Sequence, residues 1–67
     1  MHNQNKERKW LKELREKKEM TTYAVAEAVG ISQSLYSSIE NGLRGVTVEN
    51  AKQIAQFYGF EWTRFYE

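Results

Sequence analysis

The 67-residue chain contains neither cysteine nor proline. Without cysteine it can form no disulfide, no thiolate nucleophile and no cysteine-based zinc site, a composition compatible with a reducing cytoplasm. Without proline, glycine supplies the main breaks in the chain. The four glycines are Gly30, Gly42, Gly45 and Gly59. Because the sequence has no internal repeat and no low-complexity tract, these glycines predict a series of short helical segments.

Long apolar runs are also missing. No stretch approaches the roughly 20 apolar residues that a membrane-spanning helix needs, and the amino terminus is polar rather than signal-like. These features predict a cytoplasmic protein with no membrane partner. At 67 residues the chain has room for one hydrophobic core, so we expect a single domain over residues 1–67 with a flexible arm at 1–5.

Groups suited to catalysis are scarce. Histidine occurs once, as His2, within the predicted arm. No spacing in the sequence is typical of a metal site, and the segment from Gly42 to Gly45 has neither the length nor the lysine of a phosphate-binding loop. The sequence therefore predicts a protein that is not an enzyme and that has no metal and no cofactor.

Charge is nearly balanced, with a net charge of +1, which is too small to indicate nucleic-acid binding by itself. Its distribution is uneven, because residues 1–20 carry seven basic and four acidic side chains whereas residues 21–67 carry three basic and five acidic ones. The positive charge thus lies on the first predicted helix and its leading arm, where it can engage phosphates. A solvated helix face is the competing interpretation, and charge alone favours it.

Hydrophobic spacing predicts five helices and no strands, near 6–19, 21–29, 32–41, 47–58 and 61–66. Thr21, Ser32 and Thr47 are suited to cap the second, third and fourth helices, because their hydroxyls can accept amide hydrogen bonds. The outward face of the third helix is small, polar and uncharged.

The second and third helices are predicted to cross closely. Such a crossing needs a small residue in the first helix of the pair, a glycine at the turn and apolar residues that hold the second helix. The chain supplies Ala26, Gly30, Ile31, Tyr36 and Ile39 in that order. This arrangement directs the outer face of the third helix outward, where its amino-terminal residues can enter a DNA major groove about 12 Å wide.

Four groups of residues carry a resemblance to a known family. They are Leu11, Leu14 and Arg15; Val25, Ala26, Gly30, Ile31 and Ser32; Ile39, Glu40, Asn41 and Gly42; and Ile54, Ala55, Tyr58, Gly59 and Phe60. Through them the chain resembles the phage-repressor and Cro-like family, also called the xenobiotic-response-element type, from about residue 6 to residue 65. The resemblance implies an all-α, compact five-helix lambda-repressor-like helix-turn-helix domain of phage or mobile-element type. It also implies a sequence-specific double-stranded DNA-binding transcriptional regulator that acts as a repressor and reads the major groove with its third helix.

The same resemblance assigns base-reading roles on the third helix. The implied base-reading residues are Gln33, Ser34, Leu35, Ser37 and Ser38. Gln33 is the main candidate, because a glutamine can bond adenine through N6 and N7 together, whereas serine discriminates less. Leu35 is suited to contact a thymine methyl group.

Phosphate contacts are implied at Thr22, Asn41 and Arg44, with Lys6 and Lys9 as further cations. Thr22 stands where the family usually has glutamine, so this contact is expected to be shorter or absent. No lysine or arginine occurs between residues 33 and 38. Affinity must therefore also come from helix amino termini and from a second copy of the chain.

Arg15 and Glu40 are implied to form a buried structural ion pair. A planar guanidinium suits two-pronged pairing with a carboxylate, which favours a brace for the third helix over a phosphate contact at Arg15. Tyr36 stands where the family usually has a smaller branched residue. Its ring is expected either to fill the core with the hydroxyl reaching the surface or to shift the helix.

Aromatic residues near the carboxyl end exceed what five short helices are expected to bury. Phe60, Trp62, Phe65 and Tyr66 form either a dimer interface or a closed cap over the fourth helix, and the sequence leaves both open. A homodimer would match a palindromic operator with half-sites one helical turn apart. The alternative function is a helical protein-interaction module, such as the antitoxin of a toxin–antitoxin pair, whose third helix docks a protein partner.

Overall fold

The computed structural model describes residues 7–67. Within that range the chain forms four α-helices and one 3-10 helix, which are α1 Lys9–Lys17, α2 Thr22–Val29, α3 Gln33–Glu40, α4 Val48–Tyr58 and η1 Trp62–Tyr66. No strand occurs in this range, so the described chain is all-helical. The predicted arm and the predicted phosphate contact Lys6 lie outside the described residues.

Three of the four α-helices begin with a hydroxyl cap. Thr21, Ser32 and Thr47 have extended backbones, and each side chain accepts a hydrogen bond from the amide three residues later, at 3.1, 3.0 and 3.1 Å. The first helix differs, because Arg8 precedes it without a side-chain cap. It begins at Lys9 rather than near residue 6, and the preceding backbone bonds to α3 instead.

Left-handed residues end the helices. Gly30 ends α2 with a φ of +83°, and the amide of Ile31 then donates to the carbonyl of Ala26 at 3.0 Å. Glycine adopts this conformation readily. After α1, Glu19 adopts it with a φ of +55°, although its Cβ makes the left-handed region cost about 1–2 kcal/mol.

The fifth element is a 3-10 helix of five residues and not an α-helix. Glu61 precedes it without a side-chain cap hydrogen bond. The tighter 3-10 geometry occurs in short pieces and at chain ends, and here it turns Phe65 into the core. The five helices expected from the sequence are therefore four α-helices and one 3-10 helix.

The core lies among the four α-helices. Leu11, Val25, Tyr36, Ile39 and Ile54 are each 0% exposed, and every α-helix contributes at least one of them. Burying an aliphatic or aromatic side chain of this size stabilises the fold by about 1.5–3 kcal/mol. The inner face of α3 is consequently buried against the core, and its outer face remains in solvent.

Aromatic rings from both ends of the chain close one side of this core. The ring of Trp10 lies 5.1 Å from that of Phe60 and 5.3 Å from that of Phe65, centroid to centroid. Phe65 is only 7% exposed. It therefore packs in the core of one chain, whereas Trp62 is partly exposed and Tyr66 is exposed.

Candidate nucleic-acid interface

The outer surface of α3 is polar and carries no charge. Gln33 and Ser34 are exposed in its first turn, and Ser37 and Ser38 are partly exposed one turn later. The one charged residue of the helix, Glu40, is 4% exposed. The helix therefore offers hydrogen-bonding groups to a ligand without a cation among them. Leu35 is the exception on this face, since it packs partly against the core.

The side chain of Gln33 is held by α2. Its Nε2 donates to Thr22 Oγ1 at 3.0 Å, and Thr22 is the first residue of α2. A carboxamide has two donor hydrogens and an acceptor oxygen, so Gln33 keeps one N–H and its Oε1 for a ligand. The structure thus joins a predicted base-reading residue to a predicted phosphate contact.

This bond also brings the amino termini of α2 and α3 together. Unpaired amides at the start of a helix attract anions, and the helix dipole adds a partial positive charge there. Two such termini side by side can partly replace the cations that α3 lacks.

The remaining predicted phosphate contacts lie near the other end of α3. Asn41 is the carboxyl cap of α3, and Arg44 is exposed in the loop that follows. Lys9 is exposed at the start of α1, directly after Arg8, whose amide donates to the Glu40 carbonyl at 2.8 Å. The predicted phosphate contacts therefore flank both ends of α3.

Arg15 lies behind α3 and not on its outer face. Its Nε and Nη2 donate to the two carboxylate oxygens of Glu40 at 2.8 and 3.1 Å, and its Nη1 donates to the carbonyl of Met20 at 3.0 Å. The hydrogen bond to Glu40 raises the pKa of Arg15. Because all three guanidinium nitrogens are bonded within the protein, Arg15 acts as a brace between α1 and α3.

Tyr36 extends this contact toward α4. Its hydroxyl oxygen lies 2.7 Å from that of Tyr58, and the Glu40 carboxylate interacts with the same hydroxyl group. Burial is the main cause that raises the pKa of Tyr36 and of Tyr58, so both hydroxyls are neutral at physiological pH. The ring of Tyr36 fills the core, but its hydroxyl does not reach the surface, contrary to one of the two expectations from the sequence.

Arg8 has a structural role that the sequence did not reveal. Its Nη1 donates to the carbonyl of Ile39 at 2.6 Å and, more weakly, to that of Arg44 at 3.5 Å. Its guanidinium also lies 5.5 Å from the ring of Phe65, and desolvation lowers its pKa. Arg8 therefore bonds the carbonyl end of α3. The sequence placed Arg8 inside a first helix that was expected to begin near residue 6. No local sequence pattern distinguishes it from its charged neighbours, so its contact with α3 could not be predicted.

Three exposed apolar side chains lie around the loop between α3 and α4, and we call them the loop patch. Leu43 is 76% exposed, Val48 48% and Tyr66 53%. Tyr66 joins the group because its hydroxyl donates to the carbonyl of Val46 at 2.7 Å. Trp62 borders the patch, with its ring 6.0 Å from that of Tyr66. The sequence predicted only the aromatic part of this surface, Tyr66 and the bordering Trp62.

Residues 7–67 contain no group of three or more His, Cys, Asp or Glu side chains arranged to hold a metal ion. Among the same residues, no helix combines the length and the apolar character needed to cross a membrane.

Comparison with known proteins agrees with this geometry. The family model HTH_3, described as helix-turn-helix, matches residues 11–65. The chain is 45% identical, over 60 residues, to an uncharacterized HTH-type transcriptional regulator, YqaF of Bacillus subtilis (strain 168), and the match covers 90% of this chain and 79% of that protein. No solved structure matches the chain significantly.

Proposed function

Since the chain belongs to the helix-turn-helix family of DNA-binding transcriptional regulators and is not an enzyme, we propose that it reads the DNA major groove with α3. The proposal depends most on the Gln33 side chain, which is exposed, uncharged and hydrogen-bonded to Thr22. The relative that bears the name of a transcriptional regulator supports the same function.

Adenine is the base that suits this arrangement. The Thr22 bond uses one hydrogen of Gln33 Nε2, and the remaining N–H and Oε1 can face N7 and the N6 amino group of adenine. Guanine is most often read by arginine or lysine, and α3 carries neither. The half-site contacted by α3 is therefore expected to have adenine opposite Gln33. At the positions that face the serines of α3, the base should be less restricted.

Phosphate contacts supply the rest of the affinity. Thr22 can donate its own hydroxyl hydrogen to a phosphate while it accepts from Gln33, which would couple backbone positioning to base reading. Arg44 and Asn41 flank the other end of the helix. Few cations lie next to α3, so one copy should bind weakly.

We infer that two copies bind a palindromic operator as a homodimer and act as a repressor. An eight-residue α3 can contact only one half-site, and two helices about 34 Å apart fit successive major grooves. Occupying the operator is enough for repression and needs no surface beyond the DNA face. The loop patch, Phe60 and Trp62 remain available for contact between the copies.

Selection of bound duplexes from a random pool tests this proposal. We expect an enriched inverted repeat whose affinity for the protein falls steeply between low and physiological salt. Gln33→Ala should weaken binding to the selected duplex by about 5- to 100-fold, as expected for loss of a two-bond base contact. Replacing the contacted adenine by 7-deaza-adenine should weaken the wild type and leave Gln33→Ala unaffected.

Gln53→Ala is the matched control, because Gln53 is an exposed glutamine that lies beside Ala28 and Val29, at the far end of α2 from Thr22. It should bind the selected duplex as the wild type does. Equal binding by Gln33→Ala would show that Gln33 does not read a base, and binding that does not respond to salt would contradict the proposed phosphate contacts.

A further inference from the structure

Two successive turns on the inner side of α3 carry polar groups that are anchored to different helices. Glu40 is held from α1 by the two hydrogen bonds of Arg15. Tyr36, one turn earlier, meets Tyr58 of α4, with 2.7 Å between the hydroxyl oxygens. No buried side-chain nitrogen or oxygen within residues 7–67 lacks a hydrogen-bond partner. The Glu40 carboxylate also interacts with the Tyr36 hydroxyl, so the four side chains form one network that links α1, α3 and α4.

The hydrogen-bonded contacts of Glu40 and Tyr36 restrict the orientation of α3 in a way that the apolar core around them does not. Apolar packing is non-directional, so a smooth core leaves a short helix some freedom to rotate about its axis. Hydrogen bonds depend strongly on angle and distance. With Glu40 held on the α1 side and Tyr36 on the α4 side, rotation of α3 in either direction lengthens one of the two contacts.

Rotation of α3 matters because base reading tolerates little displacement. Productive hydrogen-bonding sites need their groups held within about 0.5 Å and 10–20° of the binding geometry. Gln33, Ser34 and Ser37 share the outer face of the same eight-residue helix. Any turn of the helix moves all three relative to the base edges, while contacts from neighbouring segments to phosphates change less.

We propose that Tyr36 and Tyr58 form a positioning pair that sets the rotation of α3 and thereby the DNA sequence preference of the protein. This inference rests on the proposed reading of DNA by α3. Neither hydroxyl contacts DNA in that arrangement, because Tyr36 is 0% exposed and its hydroxyl partner belongs to α4. Their effect on DNA passes entirely through the placement of the outer face.

Tyr58→Phe is the direct test, since it removes one oxygen and keeps the ring. Affinity for the selected duplex should fall by at most about 10-fold, because the lost hydrogen bond lies within the protein and can transmit no more than its own free energy, while affinity for a scrambled duplex stays unchanged. The ratio of the two affinities should fall by the same factor. A purely structural role would lower the melting temperature and leave this ratio as in the wild type, at temperatures where both proteins are folded.

Ile54→Val provides a control matched in stability. Ile54 is a fully buried residue of α4 outside the polar network, and removing one methylene typically costs a domain about as much stability as losing one hydrogen bond. This variant should keep the wild-type affinity ratio. If Ile54→Val and Tyr58→Phe lower the ratio equally, general loosening of the fold is responsible and the pair has no positioning role.

A double-substitution cycle tests whether Tyr36 and Tyr58 affect DNA sequence preference as one unit. Tyr36→Phe should lower the affinity ratio as Tyr58→Phe does, and the double variant should lose no more than either single one. Additive losses would overturn the proposal. A wild type without sequence preference would refute the proposed function, whereas a selective wild type with an equally selective Tyr58→Phe variant would refute the positioning pair alone.

Discussion

At the scale of single residues, the chain separates side chains that hold α3 from side chains that are exposed on its outer surface. Arg15 is basic, yet its three nitrogens bond Glu40 and Met20. Gln33 is neutral, yet it is exposed and oriented by Thr22. Charge alone would rank the two residues the other way round as DNA contacts. Burial and hydrogen bonding determine their roles.

Substitution of Arg15 tests its role as a brace. Arg15→Ala leaves the carboxylate of Glu40 buried without a partner, and breaking one side of a buried pair costs about 3–5 kcal/mol. For a domain of this size each kcal/mol lowers the melting temperature by about 4–8 °C, which thermal unfolding followed by circular dichroism would measure. Arg15→Lys keeps the charge but not the two-pronged geometry, so its melting temperature should lie between those of the wild type and Arg15→Ala.

The salt dependence of DNA binding separates this role from a phosphate contact. The slope of log affinity against log salt for Arg15→Lys and Arg15→Ala, measured below their melting temperatures, should equal the wild-type slope. Unchanged stability in Arg15→Ala together with a slope reduced by about one would mean that Arg15 contacts phosphate.

At the scale of helices, each α-helix is defined at its ends by a few hydrogen bonds. Hydroxyl caps begin α2, α3 and α4, and left-handed residues follow all four. The carbonyl end of α3 has an additional partner, since Arg8 bonds the Ile39 carbonyl from more than 30 positions away in the chain. Such a contact stiffens the end of the helix next to Asn41 and Arg44.

Glu19 marks the one helix end whose residue type conflicts with its conformation. A φ of +55° costs a residue with a Cβ about 1–2 kcal/mol. Substitution by glycine would remove this strain, but the greater backbone entropy of glycine in the unfolded chain would offset part of the gain in stability. Glu19→Gly should therefore raise the free energy of unfolding by about 0.5–1 kcal/mol, as measured by urea denaturation. Glu16→Gly, inside α1, should lower it by about 1 kcal/mol. If both substitutions destabilised the protein, the left-handed conformation at Glu19 would be refuted.

At the scale of the whole molecule, the aromatic residues near the two chain ends lie partly in the core and partly at the surface. Trp10, Phe60 and Phe65 pack together within one chain. Tyr66 stays exposed with Leu43 and Val48. A small domain buries only part of its unfolded surface, so covering this apolar remainder by a second copy would add stability.

Dimer formation through this surface predicts a concentration-dependent mass. Sedimentation of the free protein should show the average mass rising toward twice the value of 7.9 kDa as concentration increases. Tyr66→Ser should shift this rise to higher concentration. Tyr23→Ser removes an aromatic ring of similar exposure, 58% against 53%, and should leave it unchanged. A constant monomer mass at high concentration would exclude the homodimer in the absence of DNA.

The local features of this protein can be read from the sequence alone. Helices begin at hydroxyl residues, they end at glycines, and the outer face of α3 is polar. These follow from capping, backbone freedom and hydrophobic period, which act over a few residues. The expected pairing of Arg15 with Glu40 came from resemblance to a family and not from spacing.

The contacts between side chains that are far apart in the sequence become visible only in the folded chain. No local sequence pattern predicts three of these features, which are the contact of Arg8 with Ile39, the hydroxyl pair of Tyr36 and Tyr58, and the burial of Phe65. Each depends on how whole helices pack, and side chains of one chemical type can end in the core, in a network or at the surface. For the same reason the sequence marked the carboxyl-terminal aromatic residues as a group, and packing alone separated core from surface among them.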